Sequence, residues 1–262
     1  MNIVFFTQED PFYVKTFFKE FLQRFPFREE IKALVLSRPM GKKSLIALAR
    51  QMYSFYGGAD FLRMGARYAF LKAMGTCAEW IPHDHEKAFT VKQLAHAYGL
   101  PVLERSDLNS TAFHDSMQQL HPDLFISIAC PIIFRPDLIK IPQLGCINIH
   151  NAPLPRYRGM LPNFWQLYHG EKETGITIHE INAGIDTGDI ILQTKLPVVP
   201  GESLHELILK TKQKGATHMV NVIQDYREGR IKTRPMQGEG SYFSFPTSAD
   251  VAVFKRLGNR LV

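Results

Sequence analysis

Two short polar clusters interrupt an apolar part of the sequence, residues 145–191, and could together perform chemistry. Asn148 and His150 are two residues apart in an extended segment, so their side chains point to the same face. An amide beside an imidazole can stabilise an oxyanion. Asp186 follows on a glycine-rich loop, where the backbone can approach a ligand closely. If the fold brings Asp186 to the same strand ends, the three groups suit acyl transfer.

Each of these residues alone has a commoner explanation. A histidine after a strand is most often structural, and an Asp-Thr-Gly tripeptide is most often a turn. The same tripeptide also occurs in aspartic proteases, but a second such aspartate on an equivalent loop is not evident in the sequence. Spacing therefore leaves the catalytic and the structural interpretations of Asn148, His150 and Asp186 both open.

The surrounding sequence predicts the sheet that would position these residues. A strand at 2–7, a helix at 12–25 and a strand at 31–36 form a βαβ pattern, which is typical of a parallel sheet. The pattern resumes after residue 90, with helices predicted at 90–98, 110–120 and 163–169 and strands at 101–104, 124–129, 146–150, 175–180 and 190–196. We therefore expect an α/β fold with a mostly parallel sheet flanked by helices.

A helical insertion and a C-terminal extension depart from this pattern. Residues 42–74 predict a long helical stretch broken near Gly57-Gly58, within an insertion of about 42–80. It could be an amphipathic hairpin lying on a membrane or a nucleic acid. The favoured interpretation has its aromatic residues facing the core and its basic residues in water. Ser203 and Glu206 are spaced as a capping box that begins a long helix reaching about residue 228.

Four motifs follow one another from residue 145 to residue 191. They are GCINIH at 145–150, PLPRYRG at 153–159, GEKETGITIH at 170–179 and IDTGDII at 185–191. In this order and spacing they resemble the N10-formyltetrahydrofolate-dependent formyltransferases, a family that includes methionyl-tRNA, glycinamide ribonucleotide and sugar-nucleotide N-formyltransferases. The resemblance covers about residues 2–196 at the level of the fold and is tight over residues 123–196.

The resemblance implies a Rossmann-like sheet in a catalytic domain at 1–200, followed by a C-terminal helix and small extension at 201–262. It implies a catalytic triad of Asn148, His150 and Asp186 and N10-formyltetrahydrofolate as co-substrate. Because a carboxylate favours a charged imidazole, we expect Asp186 to raise the pKa of His150. The pteridine pocket would also use Asp186 and the residues Ile128, Ala129, Cys130, Ile132 and Ile133. His179, Thr187 and Gly188 would support the Asp186 loop.

The formyl acceptor is predicted from departures from the family pattern. The family loop commonly reads His-X-Ser-Leu-Leu-Pro, whereas here Ala152 and Pro153 follow His150-Asn151, which resembles the sugar-nucleotide branch. Glu9 and Asp10 follow the first strand in place of a glycine-rich phosphate loop, which disfavours glycinamide ribonucleotide. The segment 197–262 is also shorter than the C-terminal barrel domain of the tRNA enzymes, which disfavours tRNA as the acceptor.

We therefore expect a primary amine acceptor, with an amino sugar on a nucleotide as the favoured one and Arg156 and Arg158 as candidates to bind its anionic part. A tRNA acceptor is the less favoured alternative. A formyltetrahydrofolate hydrolase, in which water replaces the amine, and a folate-binding sensor without turnover also stay open.

Composition bounds the remaining properties. The net charge of +6 fits an anionic partner such as a nucleotide, a folate or tRNA, without choosing among them. Cys77, Cys130 and Cys146 lack metal-ligand spacing, so we expect no metal and buried thiols in a reducing compartment. The sequence shows no signal-peptide pattern and no apolar run of the ~20 residues that a membrane span needs. A cytoplasmic enzyme is expected, and a homodimer is one of the oligomeric states left open.

Overall fold

A seven-stranded sheet forms the centre of the computed structural model, which describes residues 1–37, 44–77 and 85–262. Nine strands are present in the described residues: β1 (Ile3–Gln8), β2 (Ile31–Ser37), β3 (Val102–Glu104), β4 (Leu124–Ser127), β5 (Cys146–His150), β6 (Arg158–Gly159), β7 (Glu173–Glu180), β8 (Ile190–Pro197) and β9 (Tyr242–Phe243). The large sheet has the order β3-β2-β1-β4-β5-β7-β8, and β6 pairs with β9 in a separate small sheet. The first five strands of the large sheet are parallel, and β7 pairs antiparallel with both β5 and β8. The prediction of a mostly parallel sheet is confirmed.

Nine α-helices surround the sheet within the described residues, in places that the sequence pattern largely predicts. They are α1 (Tyr13–Arg24), α2 (Leu45–Tyr56), α3 (Gly58–Cys77), α4 (Val91–Ala97), α5 (Thr111–Gln118), α6 (Pro136–Ile139), α7 (Pro162–Tyr168), α8 (Leu204–Arg227) and α9 (Ser248–Arg256). The capping box of α8 is present, since Ser203 Oγ accepts from the Glu206 amide and Glu206 accepts from the Ser203 amide. No helix in these ranges is long and apolar enough to cross a membrane.

The central strands β1, β2 and β4 are buried on both faces, as expected for parallel strands covered by helices. On one face Phe5 packs edge-on against Phe18 and Phe21 of α1, in a cluster that α4 and α8 complete. On the other face Phe6 packs against Phe113 of α5 in a second cluster. The sheet is therefore rigidly supported where the strands end and the polar clusters begin.

The insertion forms a helical hairpin whose two helices, α2 and α3, are joined at Gly57. Phe55 is buried and packs against Phe164 and Phe245, as the favoured interpretation requires. Tyr53 and Phe70 are more than half exposed, so the expectation that the aromatic residues face the core is wrong for these two. Residues 42–43 and 78–80 of the predicted insertion lie outside the described residues.

Candidate active site

The carboxyl ends of β1, β4 and β5 open into a cavity of about 660 Å³. Ligands in open α/β sheets bind at such strand ends, in cavities of this size. The cavity is lined by Asn148 and His150 from β5 and by Asp186 from the loop between β7 and β8. The structure therefore brings the three predicted residues together, although 36 residues of chain separate His150 from Asp186.

Antiparallel pairing of β5 with β7 places His179 directly opposite Asn148. His179 Nδ1 lies 2.7 Å from the carbonyl oxygen of Glu180, which can only accept, so Nδ1 carries a hydrogen. Nε2 lies 3.2 Å from Asn148 Nδ2 and can accept from it in the tautomer whose hydrogen is on Nδ1. A second, longer contact of 3.5 Å joins Asn148 Nδ2 to Asp186 Oδ1. His179 thus holds one amide hydrogen of Asn148 firmly, and the other is held loosely.

His150 is buried at the end of β5 with both ring nitrogens directed at acceptors. Nε2 lies 2.7 Å from the carbonyl oxygen of Tyr157 and donates to it. Nδ1 faces Asp186 Oδ2 at 3.5 Å. In the neutral ring the hydrogen is therefore on Nε2, and Nδ1 is the nitrogen that can take up a proton.

The Asp186 loop is fixed by several contacts. Oδ2 of Asp186 accepts a 2.9 Å hydrogen bond from the Gly159 amide, and Oδ1 lies 3.6 Å from His179 Nε2. Asp186 has a positive φ of 51°, a left-handed conformation that aspartate tolerates better than most residues. Thr187 Oγ1 donates to Asn182 across the loop at 2.6 Å. At Gly188 a side chain would overlap the carbonyl of Glu180, so the chain passes β7 too closely for any other residue.

The charge states of the pair follow from burial and neighbours. Burial would raise the pKa of Asp186, but His150, His179 and the Gly159 amide together lower it below its usual value. Burial lowers the pKa of His150, and the opposing effects of Asp186 and the Tyr157 carbonyl do not restore it. The expectation that Asp186 raises the pKa of His150 above its ordinary value is therefore wrong. Burial destabilises the charged imidazolium by more than the carboxylate 3.5 Å away stabilises it.

These groups together can activate an amine and stabilise an oxyanion. Neutral His150 offers Nδ1 as a base, and ionised Asp186 is placed to stabilise the imidazolium that forms. The loosely held hydrogen of Asn148 can turn to an oxygen in the cavity. Within the described residues no group of three or more histidine, cysteine or acidic side chains is arranged to hold a metal ion.

The segment predicted for the pteridine pocket follows β4, the strand next to β5, and lines the same cavity. Ala129, Cys130, Ile132 and Ile133 line it, whereas Ile128 is fully buried in the core beneath. Burial raises the pKa of the Cys130 thiol to about 12, so this cysteine is not a nucleophile at neutral pH. Cys146 is buried with a similar shift, and the side chain of Cys77 lies outside what the structure describes.

The two arginines predicted for acceptor binding do not line the cavity. Arg156 is exposed, forms an ion pair with Glu171 and stacks over Tyr157, with its guanidinium carbon 5.1 Å from the ring centre. Arg158 lies in β6, and its buried Nε has no hydrogen-bond partner in the described residues. Their role in acceptor binding stays a prediction.

Sequence reasoning missed Lys212, the cation that does line the cavity. It projects from α8, is only 7% exposed and interacts electrostatically with Asp10 and His150. Burial lowers the pKa of Lys212 to about 8. In the sequence it is one of three lysines within five residues of an amphipathic helix, and nothing there distinguishes it from the other two.

The acidic residues after β1 have structural partners. Glu9 accepts hydrogen bonds from the Val91 and Lys92 amides at the start of α4, at 2.8 and 3.1 Å. Asp10 accepts from the Phe12 and Tyr13 amides at the start of α1, at 2.8 and 3.1 Å. These two carboxylates therefore accept from the first amides of two helices, and negative charge at this place disfavours a phosphate, which is the predicted effect of Glu9 and Asp10.

Comparison with known proteins places this geometry in context. A family model described as formyl transferase matches residues 79–223, more than half of the chain. The chain is 36% identical over 154 residues to methionyl-tRNA formyltransferase from Pelobacter propionicus, covering 59% of this chain and 48% of that protein. It spans about half the length of the curated relatives that it matches.

Two solved structures illustrate the likeness of the fold. One is an N-formyltransferase from Helicobacter canadensis in complex with folinic acid and dTDP-3-aminofucose. It has a TM-score of 0.57 and 16% identity, with 93% of this chain and 71% of that chain covered. The other, phosphoribosylglycinamide formyltransferase from Anaplasma phagocytophilum, has a TM-score of 0.60 and 14% identity, with 93% and 97% covered. At these identities the likeness establishes the Rossmann-like fold alone.

Proposed function

Because this chain belongs to the formyl transferase family, we propose that it transfers a formyl group from N10-formyltetrahydrofolate to a primary amine. The observation that carries this proposal is the convergence of Asn148, His150 and Asp186 on one cavity. The reaction needs a hydrogen-bond donor to the oxyanion, a base for the amine proton and a carboxylate to stabilise the protonated base. Each of these three side chains has the chemistry and the neighbours for one of these roles.

The loop after β4 is the proposed wall for the folate. Cys130, Ile132 and Ile133 give it an apolar surface against which a flat pteridine ring can pack, and its backbone groups can bond the ring edge. The bound co-substrate supplies the formyl group on N10. Asn148, which lines the same cavity, would then donate to the formyl oxygen as that oxygen becomes negative.

His150 is proposed to move the proton. As the amine nitrogen bonds to the formyl carbon, the carbonyl electrons move to the oxygen and Nδ1 of His150 accepts the amine proton. The bond from carbon to N10 then breaks as the oxygen electrons return, and His150 passes the proton to N10. Asp186 remains ionised throughout and lowers the energy of the imidazolium intermediate. Neutral His150 in the resting enzyme suits this order of events, since a charged ring could not accept the proton.

The proposed acceptor is an amino sugar linked to a nucleotide. The Ala152-Pro153 loop is the sequence feature that favours it. Glu9 and Asp10 disfavour a phosphate at the end of β1, and with it glycinamide ribonucleotide as the acceptor. Lys212 gives the cavity a buried positive charge that can pair with an anionic acceptor group. Tyr242 and Phe245 add an aromatic wall against which a sugar or a base can pack.

A methionyl-tRNA acceptor is the second candidate. It is favoured by the sequence relatives, since the Pelobacter propionicus protein is a methionyl-tRNA formyltransferase. The chain matches about half of that protein, so the tRNA acceptor does not follow from the match.

An acceptor assay distinguishes these candidates. The protein is incubated with 10-formyltetrahydrofolate, and release of tetrahydrofolate is followed alone, with a series of nucleotide-linked amino sugars and with methionyl-tRNA. Release that depends on an amino sugar supports the first candidate, and release that depends on methionyl-tRNA supports the second. Release without any amine would indicate a hydrolase. Binding of the folate without release under any condition would indicate a sensor and contradict the proposal.

A further inference from the structure

The small sheet of β6 and β9 joins the C-terminal segment to the loop that carries the backbone partners of His150 and Asp186. The Arg158 amide donates to the Ser241 carbonyl, and the Met160 amide donates to the Phe243 carbonyl, both at 2.9 Å. The Ser241 side-chain oxygen also accepts a 2.8 Å hydrogen bond from the Tyr157 amide. Three backbone amides of this loop, those of residues 157, 158 and 160, are therefore held by residues about 80 positions later in the chain.

This pairing determines which way the Gly159 amide points. The amides of residues 158 and 160 donate to the carbonyls of Ser241 and Phe243, whereas the amide of Gly159 between them has its partner elsewhere. Because β9 takes the first two, the Gly159 amide is directed at Asp186 Oδ2. Gly159 must be a glycine here, since it has a φ of +96° and a side chain would overlap the Phe243 carbonyl.

The same contacts fix the Tyr157 carbonyl, which accepts from His150. Tyr157 has a positive φ of 62°, and its amide and its carbonyl are both bonded, to Ser241 and His150 respectively. A left-handed tyrosine is costly, and it persists where neighbours hold it on both sides. The Ser241 hydroxyl therefore holds the amide of the same residue whose carbonyl orients His150.

Aromatic packing holds β9 in place. The Phe243 ring stacks on Trp165 at 4.8 Å and on Tyr157 at 5.5 Å between ring centres. The Trp165 indole donates to the Ser244 carbonyl at 3.0 Å. Trp165 belongs to α7, so β9 is bound to the same rigid element that follows the loop.

We propose that Ser241 and Phe243 are positioning residues of the active site. They act through the Tyr157 carbonyl and the Gly159 amide, which orient His150 and Asp186. This inference rests on the proposed formyl transfer for its kinetic consequence, but the geometry it describes can be measured without turnover. It assigns to the C-terminal segment a part in assembling the site, in addition to its part in the fold.

The test is a serine series in the same segment. Ser241→Ala removes the oxygen that accepts from Tyr157, Ser241→Thr retains it, and Ser244→Ala is the matched control. No side-chain hydrogen bond of Ser244 is found in the described residues, where its carbonyl alone is engaged. We expect Ser241→Ala to lower kcat about five- to tenfold, the effect of one net hydrogen bond, with KM for the formyl donor within about twofold. Ser241→Thr and Ser244→Ala should keep the wild-type rate.

A second measurement separates positioning from fold stability and from the proposed function. The His150 ring is titrated by NMR in wild type and in Ser241→Ala. Asp186, His179, Lys212 and the Tyr157 carbonyl all act on this ring. Because the Tyr157 carbonyl raises the pKa of His150, loosening it should move the titration to lower pH, whether or not the protein turns over.

Two results would overturn the inference. One is an unchanged His150 titration and rate in Ser241→Ala. The other is an equal loss in Ser244→Ala, which would show a general effect of the segment. If no variant or wild type transfers formyl but the titration moves as expected, the positioning is supported and the proposed function fails.

Discussion

The backbone amide of Gly159 donates a 2.9 Å hydrogen bond to Oδ2 of Asp186. The same oxygen faces Nδ1 of His150 at 3.5 Å, so a single carboxylate oxygen is shared by a loop amide and the proposed base. The amide bond helps to lower the pKa of Asp186 and keep it ionised. The loop that follows β5 therefore takes part in setting the charge of the site.

Gly159→Ala should reduce both rate and stability. A side chain would overlap the Phe243 carbonyl, and the positive φ of Gly159 is strained in any other residue. We expect the free energy of unfolding to fall by more than ~1 kcal/mol and kcat to fall at least tenfold. Urea unfolding and steady-state kinetics measure both. Gly170→Ala is the matched control, because Gly170 also has a positive φ but has open space around it. Equal effects of the two substitutions would contradict the account.

The rate should fall on acidification with a midpoint below the ordinary histidine pKa of 6.5, since burial lowers the pKa of His150. The neutral ring is the active form, so activity is present above that midpoint and is lost below it. Because Asp186 raises the pKa of His150, Asp186→Asn should move the midpoint lower still, besides reducing the rate. A profile of kcat/KM against pH for both proteins checks this. A midpoint above 6.5, or one that moves upward in Asp186→Asn, would favour a charged resting histidine.

Stability should have the same sign of pH dependence. A histidine whose pKa is lower in the folded state binds its proton more readily when unfolded. The contribution of His150 to the free energy of unfolding is therefore lost as the pH falls below 6.5. Urea unfolding of wild type and His150→Gln between pH 5 and 8 measures the difference, which should narrow in acid. A constant difference would argue against a lowered pKa.

Lys212→Met should weaken acceptor binding. It removes the buried charge from the cavity but keeps most of the apolar volume, so the fold should tolerate it. We expect KM for an anionic acceptor to rise at least tenfold, a loss of about 1.4 kcal/mol, with KM for the formyl donor unchanged. Lys214→Met, an exposed position on the same helix, is the control and should behave as wild type. An unchanged KM for the acceptor would contradict the role of Lys212 in acceptor binding.

Cys130→Ser should retain most of the activity. The thiol lines the cavity, but its pKa near 12 means that the reactive thiolate is scarce at neutral pH. Transfer rates within about threefold of wild type, with no alkylation of Cys130 by a thiol reagent in the native protein, are expected. A Cys130→Ser enzyme without activity would require a covalent step that the proposed mechanism lacks.

The sequence predicts the sheet well because the sheet depends on local patterns, and the structure places the three residues proposed as the triad in one cavity. Buried strands such as 31–36 and 146–150 are short apolar runs between turn residues, and Asn148 and His150 share a face by strand geometry alone. The reversed direction of β7 could not be predicted, since residue periodicity does not encode strand direction. It is this direction that sets His179 opposite Asn148.

The contacts missed by sequence reasoning are those made by backbone groups or by distant segments. The Tyr157 carbonyl and the Gly159 amide carry no residue-type signal, although PLPRYRG is recognisable as a motif. Ser241 lies about 80 residues from the loop it holds. The charge of His150 was also mispredicted, because the sequence shows its carboxylate neighbour but not the depth of its burial.

The most direct test of the central claim is the single-turnover rate of formyl transfer by Asn148→Ala with saturating 10-formyltetrahydrofolate and the acceptor found in the assay above. If Asn148 donates to the developing oxyanion, this rate should fall roughly 10²–10³-fold, while folate affinity measured by equilibrium binding stays within about threefold. A rate near that of wild type would contradict the assignment of Asn148, His150 and Asp186 as the catalytic group.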